Sequence, residues 1–330
     1  MNSPVQDATH PHDWDGRVPD RLPADTVRAL STISTARALR AVAEEWAMIA
    51  AAVAACLLWP HPLLYALAVV FIGARQHALA VIAHDASHRR FLPNRRANDL
   101  VANVACSWPI LASVQGFRFF HGPHHRFTEQ EGDGNRALWK THDADGQRHP
   151  EWQYPKRRGA LVAQLAWRAS GLTGLKWILR GLIGPALRQA RVGRDGHFGH
   201  LLFWALVAAA LTAAGGWVAF AMLWVVPLIT WHVLAQYMRL ICEHSVVESP
   251  HPAYRLTRST IVPWWQRMLF LPRNIGYHVE HHWYPSVPSY RLPALHAALM
   301  QQPGYRDNVV IERSIFSALA RVAPPRHQGT

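Results

Sequence analysis

Four apolar stretches constrain this chain most, because each approaches the length that an α-helix needs to cross a lipid bilayer. They cover residues 43–59, 62–83, 199–214 and 217–236. A Pro-His-Pro turn joins the first pair and a Gly-Gly turn joins the second, so both pairs are predicted to be helical hairpins. A soluble protein is the alternative, since some stretches hold barely about 17 residues.

The placement of positive charge favours the membrane. Neither hairpin turn carries Lys or Arg, and Arg75 is the only Lys or Arg within the two hairpins. The positive-inside rule puts the N-terminal, middle and C-terminal segments in the cytosol. The sequence therefore predicts an all-α integral membrane fold, with four transmembrane helices in two hairpins and a cytosolic helical cap. Residues 1–42 would form a cytosolic arm, and residues 43–330 a single membrane domain.

Composition narrows the class of protein further. A net charge of +13 suits basic loops that face anionic headgroups of membrane lipids. Nucleic-acid binding is not favoured, because the basic residues are dispersed and no nucleic-acid fold pattern accompanies them. Cys56, Cys106 and Cys242 are scattered and form no CxxC motif, so no disulfide is expected. No cleavable signal peptide is expected either, since no basic region is followed at once by a short apolar one.

Three histidine clusters, each spaced by three or four residues, predict a metal site. On a helix such residues share one face, and a lone zinc ion takes only about four ligands. A set this large therefore predicts two metal ions, and an all-imidazole set suits Zn, Cu, Fe or Ni. A single histidine would be interpreted as a solvated residue, but the repeated pattern favours ligands. The histidines are His84, His88, His121, His124, His125, His278, His281 and His282.

In this order the clusters resemble the membrane fatty acid desaturase superfamily, which also contains hydroxylases, ketolases and related oxygenases. Its mark is HxxxH, HxxHH, HxxHH, and the boxes here read HDASH, HGPHH and HVEHH. The segment 274–293, NIGYHVEHHWYPSVPSYRLP, is similar to the third box of bacterial acyl-lipid desaturase-like enzymes. The resemblance extends from the second apolar stretch to about Leu295.

This resemblance implies a non-haem centre of two Fe ions that uses O2 as co-substrate and removes hydrogen from an unactivated C–H bond. By match to the motif, the eight box histidines would be iron ligands. The family usually has a ninth histidine near the end of the last span. We prefer His244, which follows the fourth stretch where the chain re-enters the cytosolic face, over His232, which lies inside that stretch.

Six further residues are predicted to surround the ligands or to line a substrate channel: His77, Asp85, His232, Glu243, Asn274 and Glu280. The three carboxylates adjoin ligands, where such groups commonly accept the second N–H of a bound imidazole. His77 shares a helix face with His84 but lies about 10 Å away; an interhelical hydrogen bond is its alternative role. Arg75 and Gln76 should face protein or a cavity, because polar groups against lipid are costly.

Several segments outside the boxes receive simpler predictions. Residues 25–43 are predicted to include a short amphipathic helix, and residues 98–115 a re-entrant or surface-lying one. Residues 159–189 alternate apolar runs with basic residues, which is typical of a helix in the membrane interface. Asp133 and Asn135 are predicted to be turn residues first, with a functional role left open.

The resemblance implies an enzyme that desaturates a fatty acyl chain of a lipid entering from the membrane. A hydroxylase, a ketolase or a fatty acid decarboxylase forming terminal alkenes is the alternative within the same chemistry. A metal-binding or transport protein is a more distant alternative function, because the ligands of such a protein would follow a transmembrane path. With few cysteines and no spare length, a separate ferredoxin-, rubredoxin- or cytochrome-type donor is expected. The Arg-rich, Lys-poor composition favours a bacterial inner membrane.

Overall fold

A computed structural model describes residues 20–129, 132–134, 150–176, 178–179 and 195–325. These residues are mainly helical, and one parallel pair of short strands joins β1 (Ser259–Thr260) to β2 (Ile311–Glu312). The helices are α1 (Ala24–Leu30), α2 (Thr35–Leu58), α3 (Pro62–Ser87), α4 (Arg95–Ala102), α5 (Val114–Arg126), α6 (Arg158–Ala169), α7 (Asp195–Ala213), α8 (Trp217–His244), α9 (Trp264–Leu269), α10 (His278–Trp283), α11 (Leu292–Leu299), α12 (Pro303–Asn308) and α13 (Ile315–Val322).

Three of the described helices, α2, α3 and α8, are long and apolar enough to cross a membrane. A fourth candidate is a pair of helical segments, Arg95–Ile110 and Val114–Arg126, that bends by 91°. This bend suits either a broken span or the re-entrant segment predicted for residues 98–115. The third predicted stretch is helical as well, but its apolar part, Phe198–Ala213, is shorter than the other three. All four predicted stretches therefore form helices, three of which have full spanning length.

The helix ends differ from the hydropathy boundaries. Helix α2 begins at Thr35, within the predicted arm, and α8 continues past residue 236 to His244. Polar residues lower the mean hydropathy of these ends, and some of them form ion pairs within the helix. In α8, for example, Arg239 Nε lies 2.8 Å from Glu243 Oε1, one turn further along the helix. Such pairing lets a helix extend beyond its apolar part.

Helix α3 is the centre of the bundle. Within its most apolar window 67% of the residues are buried, against 17% for α2. A Cβ at Gly73 would lie 2.7 Å from the Cβ of Trp231, so this glycine permits the close approach of α3 and α8. Arg75, Gln76 and His77 are all buried in protein and none faces lipid. The interior of the bundle therefore holds the polar groups that lipid would not accept.

Tryptophan side chains join the spans to the bent pair. Trp46 of α2 stacks on Trp224 of α8 with 5.5 Å between ring centroids. The indole N–H of Trp46 donates to the Ala105 carbonyl (2.8 Å), and that of Trp224 donates to the Pro109 carbonyl (3.0 Å). These bonds satisfy carbonyls at irregular turns of the 103–110 segment, as a low-dielectric setting requires.

The N-terminal end packs on the C-terminal segment. The predicted amphipathic helix near residues 25–43 is interrupted, because α1 ends at Leu30 and α2 begins at Thr35. Leu22 is buried in a cluster with residues of α10, α11 and α12. Its backbone N–H donates to the Tyr284 hydroxyl (3.0 Å), and the Ser34 N–H donates to the Tyr290 hydroxyl (2.7 Å). The start of the first span is thus fixed to the region around the third histidine box.

Helix α6 accounts for the first part of the predicted interfacial segment. It ends at Ala169, and Gly171 follows with a φ of +87°, which reverses the chain direction. Val162 and Trp167 are exposed on this helix. Exposed large apolar groups of this kind are typical of contact with lipid. Arg180 and Arg188 of the predicted segment lie outside the described residues.

Asn98 holds the turn that follows the first histidine box. Its side-chain oxygen accepts hydrogen bonds from the backbone N–H groups of Phe91 (3.2 Å) and Leu92 (3.0 Å). The side-chain nitrogen donates to the Ala86 carbonyl (2.9 Å), and the residue is fully buried. One amide thereby satisfies three backbone groups beside His88.

We predict that Asn98→Ala will lower the free energy of unfolding by about 2–4 kcal/mol, because buried backbone groups lose their partners. Asn94→Ala is the matched control: Asn94 is exposed and caps α4 through the N–H groups of Arg96 and Ala97. Loss of such a cap costs about 1 kcal/mol. Denaturant or thermal unfolding in one detergent measures both variants, and an equal loss in the two would contradict the role of Asn98.

Candidate metal centre

Four segments bring nine imidazoles together. His84 and His88 lie at the end of α3, and the second box lies on α5. His244 is the last residue of α8, and the third box forms α10. Local contacts fix these segments: the Arg118 guanidinium of α5 donates to the carbonyls of Ser87 (2.8 Å) and Ala86 (3.1 Å) at the end of α3.

A close backbone approach positions α10. A Cβ at Gly276 would lie 2.3 Å from the Thr260 carbonyl oxygen, and the Gly276 carbonyl accepts the Thr260 N–H at 2.7 Å. Only glycine allows the chain to lie this close to β1 just before the third box. The strand pair therefore sets where His278 enters the site.

The nine imidazoles divide into two groups in which the possible ligand atoms lie within 4.8 Å of one another. The first group is His84, His88, His121, His125 and His281, and the second is His124, His244, His278 and His282. The groups adjoin, since the rings of His125 and His282 stack with 4.3 Å between centroids. Each group mixes residues from at least three segments, so neither exists before the chain folds.

The distances between nitrogens suit ligands of a common ion. His121 Nε2 lies 3.0 Å from His125 Nε2, and His278 Nε2 lies 3.0 Å from His244 Nε2. With metal–nitrogen bonds of about 2.1 Å, adjacent ligands stand about 3.0–3.4 Å apart. The Nε2 atoms of His84, His88 and His281 are buried and have no hydrogen-bond partner among the residues that the structure describes. Buried nitrogens that lack a partner but converge on one point fit a bound metal ion.

Burial keeps the third box in the form that binds metal. Loss of hydration on burial holds the pKa of His278, His281 and His282 well below its usual value, and neighbouring imidazoles lower it further. These rings are therefore neutral near pH 7, and a neutral imidazole is the ligand form.

Acceptors on the opposite side of the rings fix the orientation of the second group. Asp133 Oδ1 lies 2.9 Å from His124 Nδ1, while its Oδ2 accepts the Glu129 N–H. The Leu256 carbonyl lies 3.0 Å from His244 Nδ1. Both contacts leave the Nε2 atom of the ring directed to the group. Sequence reasoning assigned Asp133 a turn and did not find Leu256, because a backbone acceptor carries no sequence pattern.

Two of the predicted carboxylates lie beside imidazoles. Glu243 Oε1 is 3.4 Å from His278 Nδ1, and Arg239 Nε lies 2.8 Å from the same oxygen. Asp85 Oδ1 is 3.7 Å from His84 Nδ1, longer than a hydrogen bond, and its Oδ2 accepts the Ser289 N–H at 3.0 Å. Asp85 therefore ties the first box to the 3₁₀ turn Ser289–Arg291 as well as facing a ring.

Glu280 differs from its predicted role beside a bound imidazole. Its carboxylate accepts hydrogen bonds from the hydroxyls of Tyr305 (2.7 Å) and Ser259, and it contacts His296, which is outside both groups. Side chains of neighbouring residues on a helix point about 100° apart, so the Glu280 side chain points away from the site when the His281 side chain points into it. Glu280 anchors α10 to β1 and α12.

The remaining predicted residues lie outside the two groups. His77 and His232 are fully buried and meet edge to face, with 6.1 Å between ring centroids. The Asn274 side chain donates to the Ser289 carbonyl (3.2 Å). Asn135 lies outside the described residues. A channel role for His77, His232 and Asn274 stays a prediction.

Comparison with known proteins agrees with this arrangement. The profile of the family described as fatty acid desaturase matches residues 60–314. Dihydrorhizobitoxine desaturase of Bradyrhizobium elkanii is 30% identical over 278 residues, which cover 80% of this chain and 75% of the relative. The sn-1 oleoyl-lipid 12-desaturase of Synechocystis sp. is 23% identical over 256 residues, or 71% of this chain and 68% of the relative.

A plant relative is longer than the matched part. The chloroplastic omega-6 fatty acid desaturase of Glycine max is 24% identical over 259 residues, which cover 72% of this chain but only 57% of that protein. The family match includes all three histidine boxes and His244. It confirms the resemblance drawn from the boxes: the chain belongs to the fatty acid desaturase family and is a membrane oxidoreductase.

Proposed function

We propose that this protein is an O2-dependent, non-haem di-iron desaturase that introduces a double bond into a lipid acyl chain. The observation that carries the proposal is the pair of adjoining imidazole groups, five residues in one and four in the other. Names of the relatives support it, since two of those compared are fatty acid or acyl-lipid desaturases. The ligand set that we propose is the nine histidines of these groups, with His244 as the ninth.

The side chains of this protein would hold the metal ions and exclude water from the reacting group. Two bound iron ions would supply the oxidising chemistry with O2, and the imidazole nitrogens would hold them. The Asp133 carboxylate and the Leu256 carbonyl fix the orientations of the His124 and His244 rings. Most of the imidazoles are buried, with only His88, His125 and His282 partly exposed. Such burial excludes bulk water from a reacting methylene group.

The proposed topology places these groups at the cytosolic face of a bacterial inner membrane. Four spans in two hairpins, with both termini cytosolic, would put the ends of α3 and α8 on the same side. The supporting observation is that His84 and His244, at those two ends, belong to adjoining groups. A separate ferredoxin-, rubredoxin- or cytochrome-type protein would supply electrons from that side.

A hydroxylase, ketolase or decarboxylase would use the same ligands, and the position of the substrate carbon decides between these outcomes. The dihydrorhizobitoxine desaturase relative has a name that does not specify a fatty acid, so a substrate of another class is a second candidate for this chain. A metal transporter would need ligands along a transmembrane path, which the compact grouping does not favour.

Metal content and reaction product together test the proposed function. Anaerobically purified protein should contain about two irons per chain by elemental mass spectrometry, because the nine imidazoles form two ligand groups. With a reconstituted electron donor, O2 and membrane lipid, product analysis should show acyl chains that have lost two hydrogens. A hydroxylated or shortened product would move the assignment to the alternatives, and one zinc per chain would contradict the di-iron proposal.

Two histidine variants test which residue is the ninth ligand. His244→Ala should lose about one of the two irons, because His244 Nε2 lies 3.0 Å from His278 Nε2 in its group. His232→Ala is the matched control, since His232 is also buried in the same helix but contacts His77. Elemental analysis of both variants, after their thermal unfolding has been compared, gives the answer. Iron loss in His232→Ala alone would overturn the assignment of His244.

An Asp133 variant tests whether the contact of this carboxylate with His124 supports metal binding. Asp133→Asn should weaken iron retention about 10–100-fold against a chelator, because the His124 ring loses a charged acceptor. The control is Asp25→Asn, which removes the same charge from an exposed site. Iron retention in Asp133→Asn equal to that of the wild type would show that the Asp133 contact does not support the metal.

A further inference from the structure

An arginine-rich cavity lies between α2, α3 and the segment that precedes the third histidine box. Its volume is about 740 Å³, within the range of cavities that hold small ligands. Six arginines and three carboxylates line it, which leaves a formal excess of three positive charges. The charged residues are Arg37, Arg40, Arg75, Arg90, Arg267, Arg273, Glu44, Glu45 and Asp85.

Half of these arginines are already paired. Glu45 lies 3.1 Å from the Arg75 guanidinium and 2.6 Å from that of Arg273. Glu44 lies 2.7 Å from Arg40 and 2.9 Å from Arg273. This network forms the wall of the cavity, and its three arginines and two glutamates together with Asp85 have a formal charge of zero.

The other three arginines carry the excess charge. Arg37, Arg90 and Arg267 have no carboxylate partner among the residues that the structure describes; the Arg37 guanidinium lies over the Tyr290 ring at 5.6 Å. The buried Nε atoms of Arg90 and Arg75 have no hydrogen-bond partner in the described part of the chain, and the Arg75 side chain is only 2% exposed. A buried guanidinium N–H without a partner is costly, and an anion would satisfy it.

Backbone strain marks the same place. Arg273 and Asn274 are consecutive non-glycine residues with φ of 54° and 62°, a region that such residues rarely adopt. The bonds of Arg273 to Glu44, Glu45 and the Ala41 carbonyl hold this conformation. Both residues line the cavity, so the strained segment shapes its wall.

The cavity also has an apolar part that lies near the candidate metal centre. Ala38, Met48, Ile82 and Met268 contribute to its lining, and so does Asp85, which faces His84. A ligand that fills it therefore needs a negative head and an aliphatic portion. Arg37 and Arg40 are exposed, so the charged side is accessible from outside the bundle.

We propose that this cavity binds the carboxylate or phosphate head of an amphipathic substrate, with Arg37, Arg90 and Arg267 as the charge that selects it. The inference rests on the proposed function in taking the ligand to be the substrate of the adjoining site. Arginine binds both anions through paired N–H groups, so a free fatty acid and an anionic phospholipid are the two sources of this chemistry.

The test uses the full, iron-loaded chain and native mass spectrometry from detergent, with each probe added alone. The probes are dodecanoate, its uncharged methyl ester and dioctanoyl phosphatidylglycerol. Wild-type protein should retain one anionic probe and not the ester. The Arg37→Gln/Arg267→Gln variant should bind that probe at least about tenfold more weakly, because two charged contacts are lost.

The Arg95→Gln/Arg96→Gln variant is the matched control, since it removes two charges from exposed residues outside the cavity lining. It should bind like the wild type. Retention of dodecanoate alone identifies a carboxylate head, and retention of phosphatidylglycerol alone identifies a phosphate. Equal binding by both variants, or binding of the ester as tight as that of the acid, would overturn the proposal.

The binding experiment does not require turnover, so its failure is separable from that of the proposed function. Cavity-dependent binding in a protein that yields no desaturated product would contradict the proposed reaction alone. Desaturated product together with cavity-independent binding would contradict the anion site alone.

Discussion

The convergence of nine imidazoles on two points is the constraint on which the rest of this structure depends. No segment can form either group by itself, since each draws on at least three parts of the chain. Bringing the rings together buries nitrogens that lose water and find no hydrogen-bond partner within the described residues, as at His84, His88 and His281. Such burial is unfavourable until a shared ion satisfies it. Folding of these segments and metal binding are therefore linked in energy.

Contacts outside the two imidazole groups hold the segments that carry the rings. Asn98 fixes the turn after the first box, Gly276 sets the approach of α10 to β1, and Glu280 ties α10 to α12. None of these residues belongs to the two imidazole groups. They restrict the movement of the segments that carry the imidazoles, which reduces the entropy lost when an ion binds.

Sequence patterns predicted the parts of the structure that depend on local repetition. The three boxes and the apolar stretches were readable, because a helix imposes its spacing on both. Helix ends such as His244 were not, because hydropathy marks only the apolar part of α8, and the helix continues through polar residues such as Arg239 and Glu243, which pair one turn apart. The roles of Asp133 and Glu280 depended on which way a side chain faces after folding. Adjacency to a histidine favoured Glu280, whereas the acceptor of His124 lies nine residues further along the chain.

The strained segment at Arg273 and Asn274 joins two features that sequence reasoning kept apart. It forms part of the wall of the arginine-lined cavity, and only a few residues separate it from His278 of the second imidazole group. Arg273 holds the segment against α2 through Glu44 and Glu45, while the Asn274 side chain holds it to Ser289, whose N–H binds Asp85. The cavity wall is therefore linked to both imidazole groups. The link to the first group runs through Ser289 and Asp85, which lies 3.7 Å from His84, and the link to the second runs along the chain to His278. The same polar network that shapes the cavity sets the position of the rings beside it.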